Sequence, residues 1–197
     1  MLYIMLLIRR EMGVVKTDSR IIQTKRAIKN EIISLLQKYP LNKITVKMLC
    51  DNAEINRATF YRYYEDVYDL YDKIKDEFID EVVVFFHNAN LLQTQDNIKS
   101  FLSEAKKHSD MIFALTKQND AIEFTDTFCK KIYSGIEYKF RDFFKEFNAE
   151  QCKAAYTFIV AGCAGVLSSW ITSGMDGDVD EISMLLNNLI TKILKSV

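Results

Sequence analysis

An all-α fold is expected for this chain, a small three-helix head followed by a larger helical body. Three observations carry that expectation. Apolar residues recur at spacings of three and four along most of the length. Only one Pro and six Gly interrupt 197 residues, 49% of them hydrophobic. No run of alternating residues is long enough to argue a sheet, and no internal repeat or low-complexity tract is present. The expected divisions are an N-terminal arm over residues 1–19, the head over 20–65 and the body over 66–197.

The first helix is read from Ile21 to Tyr39, where Ile21, Ile22, Ile28, Ile32, Leu35, Leu36 and Tyr39 share one face and Lys25, Arg26, Lys29 and Glu31 fill the other. Pro40, the only proline, cannot continue it and pushes Tyr39 toward an extended conformation. After a link from Leu41 to Ile44, Thr45 can cap a short helix through its side-chain oxygen, with Val46, Leu49 and Ala53 as the buried face. A turn at Glu54 and Ile55 leads to Asn56, a second potential cap, and a third helix from Arg57 to Arg62. Phe60 and Tyr64, four apart, are expected to pack on the first helix. Asp66 can cap a long fourth helix running to about His87, which would join head to body.

Further helical periodicity covers Asn97 to Lys107, Asp110 to Lys117 and Asp120 to Phe147. Asn148, with Gln151 three residues on, resembles a capping box. The stretch that follows, to Ser173, is almost continuously apolar, and a helix apolar all round must be buried on more than one side. Gly174 ends it, a turn passes through Asp176 and Gly177, and Asp178 or Asp180 caps the last helix. There Ile182, Leu185, Leu186, Leu189, Ile190, Ile193 and Leu194 form one stripe, so the last two helices could bury a second face against an identical pair.

The formal net charge of -1 hides an uneven distribution. Residues 16–65 hold ten Lys/Arg against five Asp/Glu, whereas residues 66–197 hold 14 against 21, so one short segment is basic and the rest repels polyanions. Cys50, Cys129, Cys152 and Cys163 show no C-x-x-C and no clustered His, and read as reduced thiols that pack as small hydrophobes. Met1 to Ile8 is apolar and is followed by Arg9 and Arg10. That run is too short for a bilayer span, which needs about 20 residues, and it has the wrong order for a signal peptide. A cytoplasmic location and no membrane association are expected, with Met12 as an alternative natural start to Met1.

The informative string runs from Ile44 to Tyr64, ITVKMLCDNAEINRATFYRYY. Helix N-termini at Thr45 and Asn56 would aim unpaired N–H groups and a positive dipole end at phosphate oxygens. Thr59, Tyr61 and Tyr63 offer hydroxyls to phosphates, Arg57 could reach a guanine edge, and Lys43 and Lys47 add charge nearby. The string resembles the DNA-binding signature of the TetR/AcrR family: a Thr opening the second helix, a turn, then a Thr-Phe-Tyr recognition helix, with Leu70 in the family's usual Leu position. Two features depart from the family pattern. Glu54 stands at a turn position where the family has Gly, and Val67, after the acidic Glu65 and Asp66, stands where a Lys commonly begins the fourth helix.

The resemblance implies a homodimeric regulator that binds double-stranded DNA and answers to a small-molecule effector. The expected function is a ligand-responsive repressor whose two recognition helices enter successive major grooves about 34 to 36 Å apart on a palindromic operator. The alternative is a TetR-like protein acting through a partner protein without operator binding. Candidate DNA-binding residues are Thr45, Lys47, Asn56, Arg57, Thr59, Tyr61 and Tyr63; candidate dimer contacts are Gly162, Val166, Trp170, Leu186, Leu189 and Ile193. Phe113, Phe124, Phe128 and Tyr133 are candidates for a pocket that would take an apolar or aromatic ligand. No Gly-rich nucleotide loop or H-E-x-x-H occurs, and His87 and His108 have no evident partner set, so neither an enzyme nor a cofactor or metal is expected. The alternating Asp176, Asp178 and Asp180 lack the Gly and Glu that a calcium loop needs at its sixth and twelfth positions.

Overall fold

The computed structural model describes residues 19–88, 94–116, 130, 131, 133, 134, 138, 141 and 144–195. Among the described residues every regular element is helical. The chain divides into two compact units, Met1–Ile74 and Lys75–Val197, with the boundary inside one long helix.

In the first unit α1 spans Ser19–Lys38 and buries Ile28, Ile32, Leu35 and Leu36 of the expected stripe, whereas Ile21, in its first turn, is partly exposed and Ile22 and Tyr39, near its two ends, are exposed. Pro40, at φ -67°, ends it and opens a 3-10 turn over Leu41–Lys43. α2, Val46–Asn52, starts where Thr45 Oγ1 accepts the Met48 N–H at 3.2 Å. Its buried residues are Leu49 and Cys50, while Val46 and Ala53 stay partly exposed. The Asn52 amide donates to Glu31 Oε1 at 2.9 Å, latching α2 to α1.

The exit from α2 is a Schellman turn. Ile55 N–H reaches back to the Cys50 carbonyl at 3.0 Å, and the residue this wraps around, Glu54, sits at φ 54°. α3, Arg57–Tyr61, follows at once, with Asn56 Oδ1 accepting the Ala58 N–H at 2.8 Å. It is one residue shorter than expected, since Arg62 is its C-cap. Phe60 is fully buried and its ring lies 5.6 Å from that of Tyr64. α4 spans Val67–Asn88, and Asp66 Oδ1 accepts the Asp69 N–H at 2.8 Å, as its position before the helix predicts.

In the second unit α5 (Thr94–Lys107), α6 (Ser109–Thr116), α7 (Ala149–Thr172) and α8 (Val179–Lys195) accompany the second part of α4. α5 begins three residues before the expected Asn97 and α6 one before Asp110, where side-chain periodicity is silent about the first turn. The helix expected over Asp120 to Phe147 lies largely outside the described residues; Lys130, Lys131, Tyr133, Ser134, Tyr138 and Arg141 are helical. That helix has ended by Phe144, which turns back through the Phe147 N–H at 3.0 Å.

The most extensive helix pairing in this unit is α5 on α8. Two apolar clusters fill its interior, one around Val82, Cys152, Tyr156 and Ile159, the other around Leu102, Ile112, Trp170, Met175 and Leu186. Phe78, Phe101 and Cys163 pack against both.

α7 opens with a complete capping box: Gln151 N–H donates to Asn148 Oδ1 and Asn148 N–H to Gln151 Oε1, both at 2.9 Å. It closes with a second Schellman turn, Met175 N–H to the Trp170 carbonyl at 2.9 Å and Gly174 N–H to Ile171 at 3.0 Å. Gly174, at φ 88°, takes the left-handed position that glycine occupies without steric cost. Met175 and Trp170, the residues this turn brings together, are both buried in the second cluster. Asp178, rather than Asp180, caps α8, its carboxylate accepting the Asp180 N–H at 2.9 Å.

Candidate nucleic-acid interface

The two caps of the first unit fix the directions of two short helices. Because the Thr45 and Asn56 side-chain oxygens are occupied by Met48 and Ala58 N–H groups, what remains outward at each N-terminus is unpaired backbone N–H and the positive end of the helix. Thr45, Lys47, Asn56 and Arg57 are exposed, Tyr61 is 57% exposed, and Thr59 and Tyr63 are partly buried. All seven expected residues therefore fall in one unit, on α2, α3 and their flanks. Lys43, Lys47, Arg57 and Arg62 make no ion pair with any described residue, so their charge is available to a polyanion. Burial pushes the Cys50 thiol up, with Arg57 opposing and Asp51 adding to the shift.

The end of α3 is organised by residues that sequence reading does not select. Lys73, on α4, donates to Asp69 Oδ2 at 2.8 Å and to the Tyr63 carbonyl at 3.3 Å, with its ammonium 5.5 Å from the Tyr64 ring centroid. Asp69 also accepts the Glu65 N–H at 2.9 Å. These two hydrogen bonds, the one from Lys73 first, hold the Asp69 carboxyl below the usual carboxylate range. On the other side Lys25, from α1, places its ammonium 5.4 Å from the Tyr63 ring centroid. Val67 is only 4% exposed, so the first turn of α4 contributes a core contact at that position instead of a charge. Lys25 carries no local sequence signal, because Tyr63 is far from it in the chain; Lys73 has an i,i+4 partner in Asp69, but its contacts with Tyr63 and Tyr64 leave no such signal.

In the second unit the residues expected at a subunit contact separate into two groups. Gly162 and Leu189 are exposed and Val166 and Ile193 partly so, whereas Trp170 and Leu186 are buried in their own chain's second cluster. Phe158 is 68% exposed, Leu189 45%, and Met184 and Leu185 about half. α7, expected to be buried on more than one side, is buried on one within the single chain. Its length and apolarity also satisfy those of a membrane span. Of the expected pocket residues, Phe113 packs against the second cluster, while Tyr133 packs against the first with its ring 4.5 Å from that of Tyr156. Phe124 and Phe128 lie outside the described residues. The described cysteines, Cys50, Cys152 and Cys163, are free thiols. Cys129 also lies outside the described residues.

A three-helix unit with two capped, cation-bearing helices, joined by a long helix to an all-helical body, is the build of a helix-turn-helix transcription regulator. The family model of the TetR transcriptional regulator C-terminal region matches residues 92–192, and the chain belongs to the TetR family of transcriptional regulators. Members of that family regulate transcription and are not enzymes, and so it is for this chain.

Solved structures share the fold. The dihydroxyacetone kinase operon activator DhaS superposes with a TM-score of 0.66 at 16% identity, covering 87% of this chain and 96% of its own. A TetR transcriptional regulator from Streptococcus agalactiae 2603V gives 0.64 at 22% identity, covering 88% and 96%. The fatty acid degradation regulator FadR from Bacillus halodurans gives 0.55 at 15% identity, covering 89% and 96%. No curated protein matches the sequence.

Proposed function

We propose that this chain is a cytoplasmic, homodimeric regulator that binds a palindromic operator through α2 and α3 and represses transcription until a small apolar or aromatic effector occupies the body. The observation that carries the DNA reading is the pair of capped helix N-termini at Thr45 and Asn56 with Lys47, Arg57 and Tyr61 exposed beside them. Such an arrangement supplies backbone N–H groups and cations to phosphates and leaves Arg57 to read a base edge. The exposed face of α7 and α8, with Phe158, Gly162 and Leu189, supports the homodimer; a partner subunit covering it would give α7 the second buried side its apolarity calls for. In this reading that face meets protein rather than lipid. The sign of regulation is independent of the fold, since DhaS, a neighbour at 16% identity, is named an activator.

The test is binding of the purified protein to the DNA upstream of its own gene and to a scrambled duplex at two salt concentrations. A preference for the upstream duplex that survives the higher salt is expected, with reporter expression rising when the gene for this chain is deleted. The acidic Glu65 and Asp66 and the buried Val67 favour a second reading, action through a partner protein without operator contact. Equal, weak binding to both duplexes would select it. A monomer at micromolar concentration would sink the dimer.

A further inference from the structure

Beyond Arg62, the exposed C-cap of α3, the corner where α3 runs into α4 is poor in available positive charge. Glu65 and Asp66 are exposed, Val67 is buried, and Lys73 is neutralised by Asp69 at 2.8 Å. Lys25, on α1 and far away in sequence, projects to this corner with its ammonium 5.4 Å from the Tyr63 ring centroid. It is exposed and makes no ion pair among the described residues.

An aromatic face restrains a cation without cancelling its charge, and the ammonium keeps donors directed away from the ring. The Tyr63 phenol offers a further O–H beside it. Tyr63 is itself fixed from behind, its carbonyl held by Lys73 and its ring in edge contact with Tyr64 at 6.4 Å.

Resting on the DNA-binding reading above, we infer that Lys25 and Tyr63 together form a phosphate clamp, with Lys25 a DNA-contacting cation that joins Arg62 at the end of the recognition helix. The ligand is a backbone phosphate of duplex DNA, and the clamp adds affinity without adding sequence preference.

The experiment uses the full chain with the upstream and scrambled duplexes, titrated between about 50 and 200 mM salt. Lys25→Met keeps the aliphatic stem on the ring and removes the charge. It is expected to weaken binding to both duplexes by a similar factor and to flatten the log–log salt slope by about 0.9 per bound protomer. Lys25→Arg is expected to retain the wild-type slope. Tyr63→Leu removes the ring that places the ammonium, so Lys25→Met added to it should cost far less affinity than it does alone. An unchanged slope in Lys25→Met, with wild-type binding intact, overturns the clamp and leaves operator binding standing, and a fall in thermal midpoint with no change of slope does the same. Absence of salt-dependent DNA binding by the wild type removes both the clamp and the reading on which it rests.

Discussion

Glu54 is one of two described non-glycine residues held in the left-handed region, the other being Met175 at φ 57°. A non-glycine side chain at φ 54° in the Schellman exit of α2 sits where L residues are disfavoured by about 1–2 kcal/mol, and the turn is kept by the Ile55-to-Cys50 hydrogen bond on one side and the cap of α3 on the other. Glu54→Gly is therefore expected to stabilise the protein by about 1 kcal/mol, read as a higher urea midpoint at unchanged m. A lower midpoint would show that the carboxylate does something the backbone argument omits. Arg57, unpaired and at the first position of α3, is expected to cost about 1–3 kcal/mol of operator discrimination when changed to Ala. Competition binding with single-base operator variants measures it; equal affinity of wild type and variant for every duplex would refute both base and phosphate roles. Single-residue features of short range are legible in the amino-acid sequence: Thr45, Asn56, Asp66 and Asn148 cap where their spacing says, because a cap depends only on residues two or three away. The Lys25 and Lys73 contacts with Tyr63 and Tyr64 are not legible there, since a cation–π contact between distant parts of the chain leaves no trace in spacing.

Among the elements, α7 shows how far periodicity reaches. Its apolarity on all sides calls for two burials, and among the described residues one face is buried, so the proposed homodimer would supply the second. A Cβ on Gly162 or Gly165 would meet no atom within 4 Å in the single chain. Substitution there is thus tolerated by the subunit, and Gly162→Ala alone should raise helix stability by about 1 kcal/mol. If the proposed dimer packs on this face, Gly162→Leu is expected to leave the helical circular dichroism intact while weakening association by at least about tenfold through overpacking. Sedimentation equilibrium at several concentrations checks it, and an unchanged dimer would place the contact elsewhere. Leu186, in the apolar stripe of α8, and Trp170, near the end of α7, are both expected at a dimer contact, but apolarity alone cannot tell a face buried within the chain from one buried against a partner. Their burial against Leu102 and Ile112 gives them a role within the chain. Helix starts differ from the periodicity by up to three residues for a related reason: first turns are solvent-facing and carry no apolar signal.

For the whole molecule the titratable groups define a pH window. The Asp69 and Glu104 carboxyls are held low, chiefly by hydrogen bonds from Lys73 and Lys107 respectively. A lowered acid contributes stability above its unfolded range of about pH 4 and loses it as pH falls through the folded value. Lys99 and Lys131 are held high, chiefly by Asp180 and Asp76, so their contribution is complete below about pH 10 and disappears above it. Burial pushes the Cys163 thiol up to about 11, and since the unfolded thiol ionises near pH 8.5, stability begins to fall there. Urea midpoints are expected to be flat from about pH 5 to 8 and to decline on both sides, with Cys163→Ala softening the alkaline limb; an identical limb in that variant would remove the thiol as its cause.

The Schellman turn that ends α7 holds the only tryptophan of the chain, 5% exposed, with its indole N–H donating to the Asp176 carbonyl at 3.0 Å. Intrinsic emission excited at the indole band therefore reports on the second unit alone, while the first is spectroscopically silent there and visible only through its tyrosines and backbone. Denaturation followed by fluorescence and by far-ultraviolet dichroism will coincide if the two units melt together, and will part if the DNA-facing unit opens first, so a single native fluorophore suffices to measure their cooperativity without labelling.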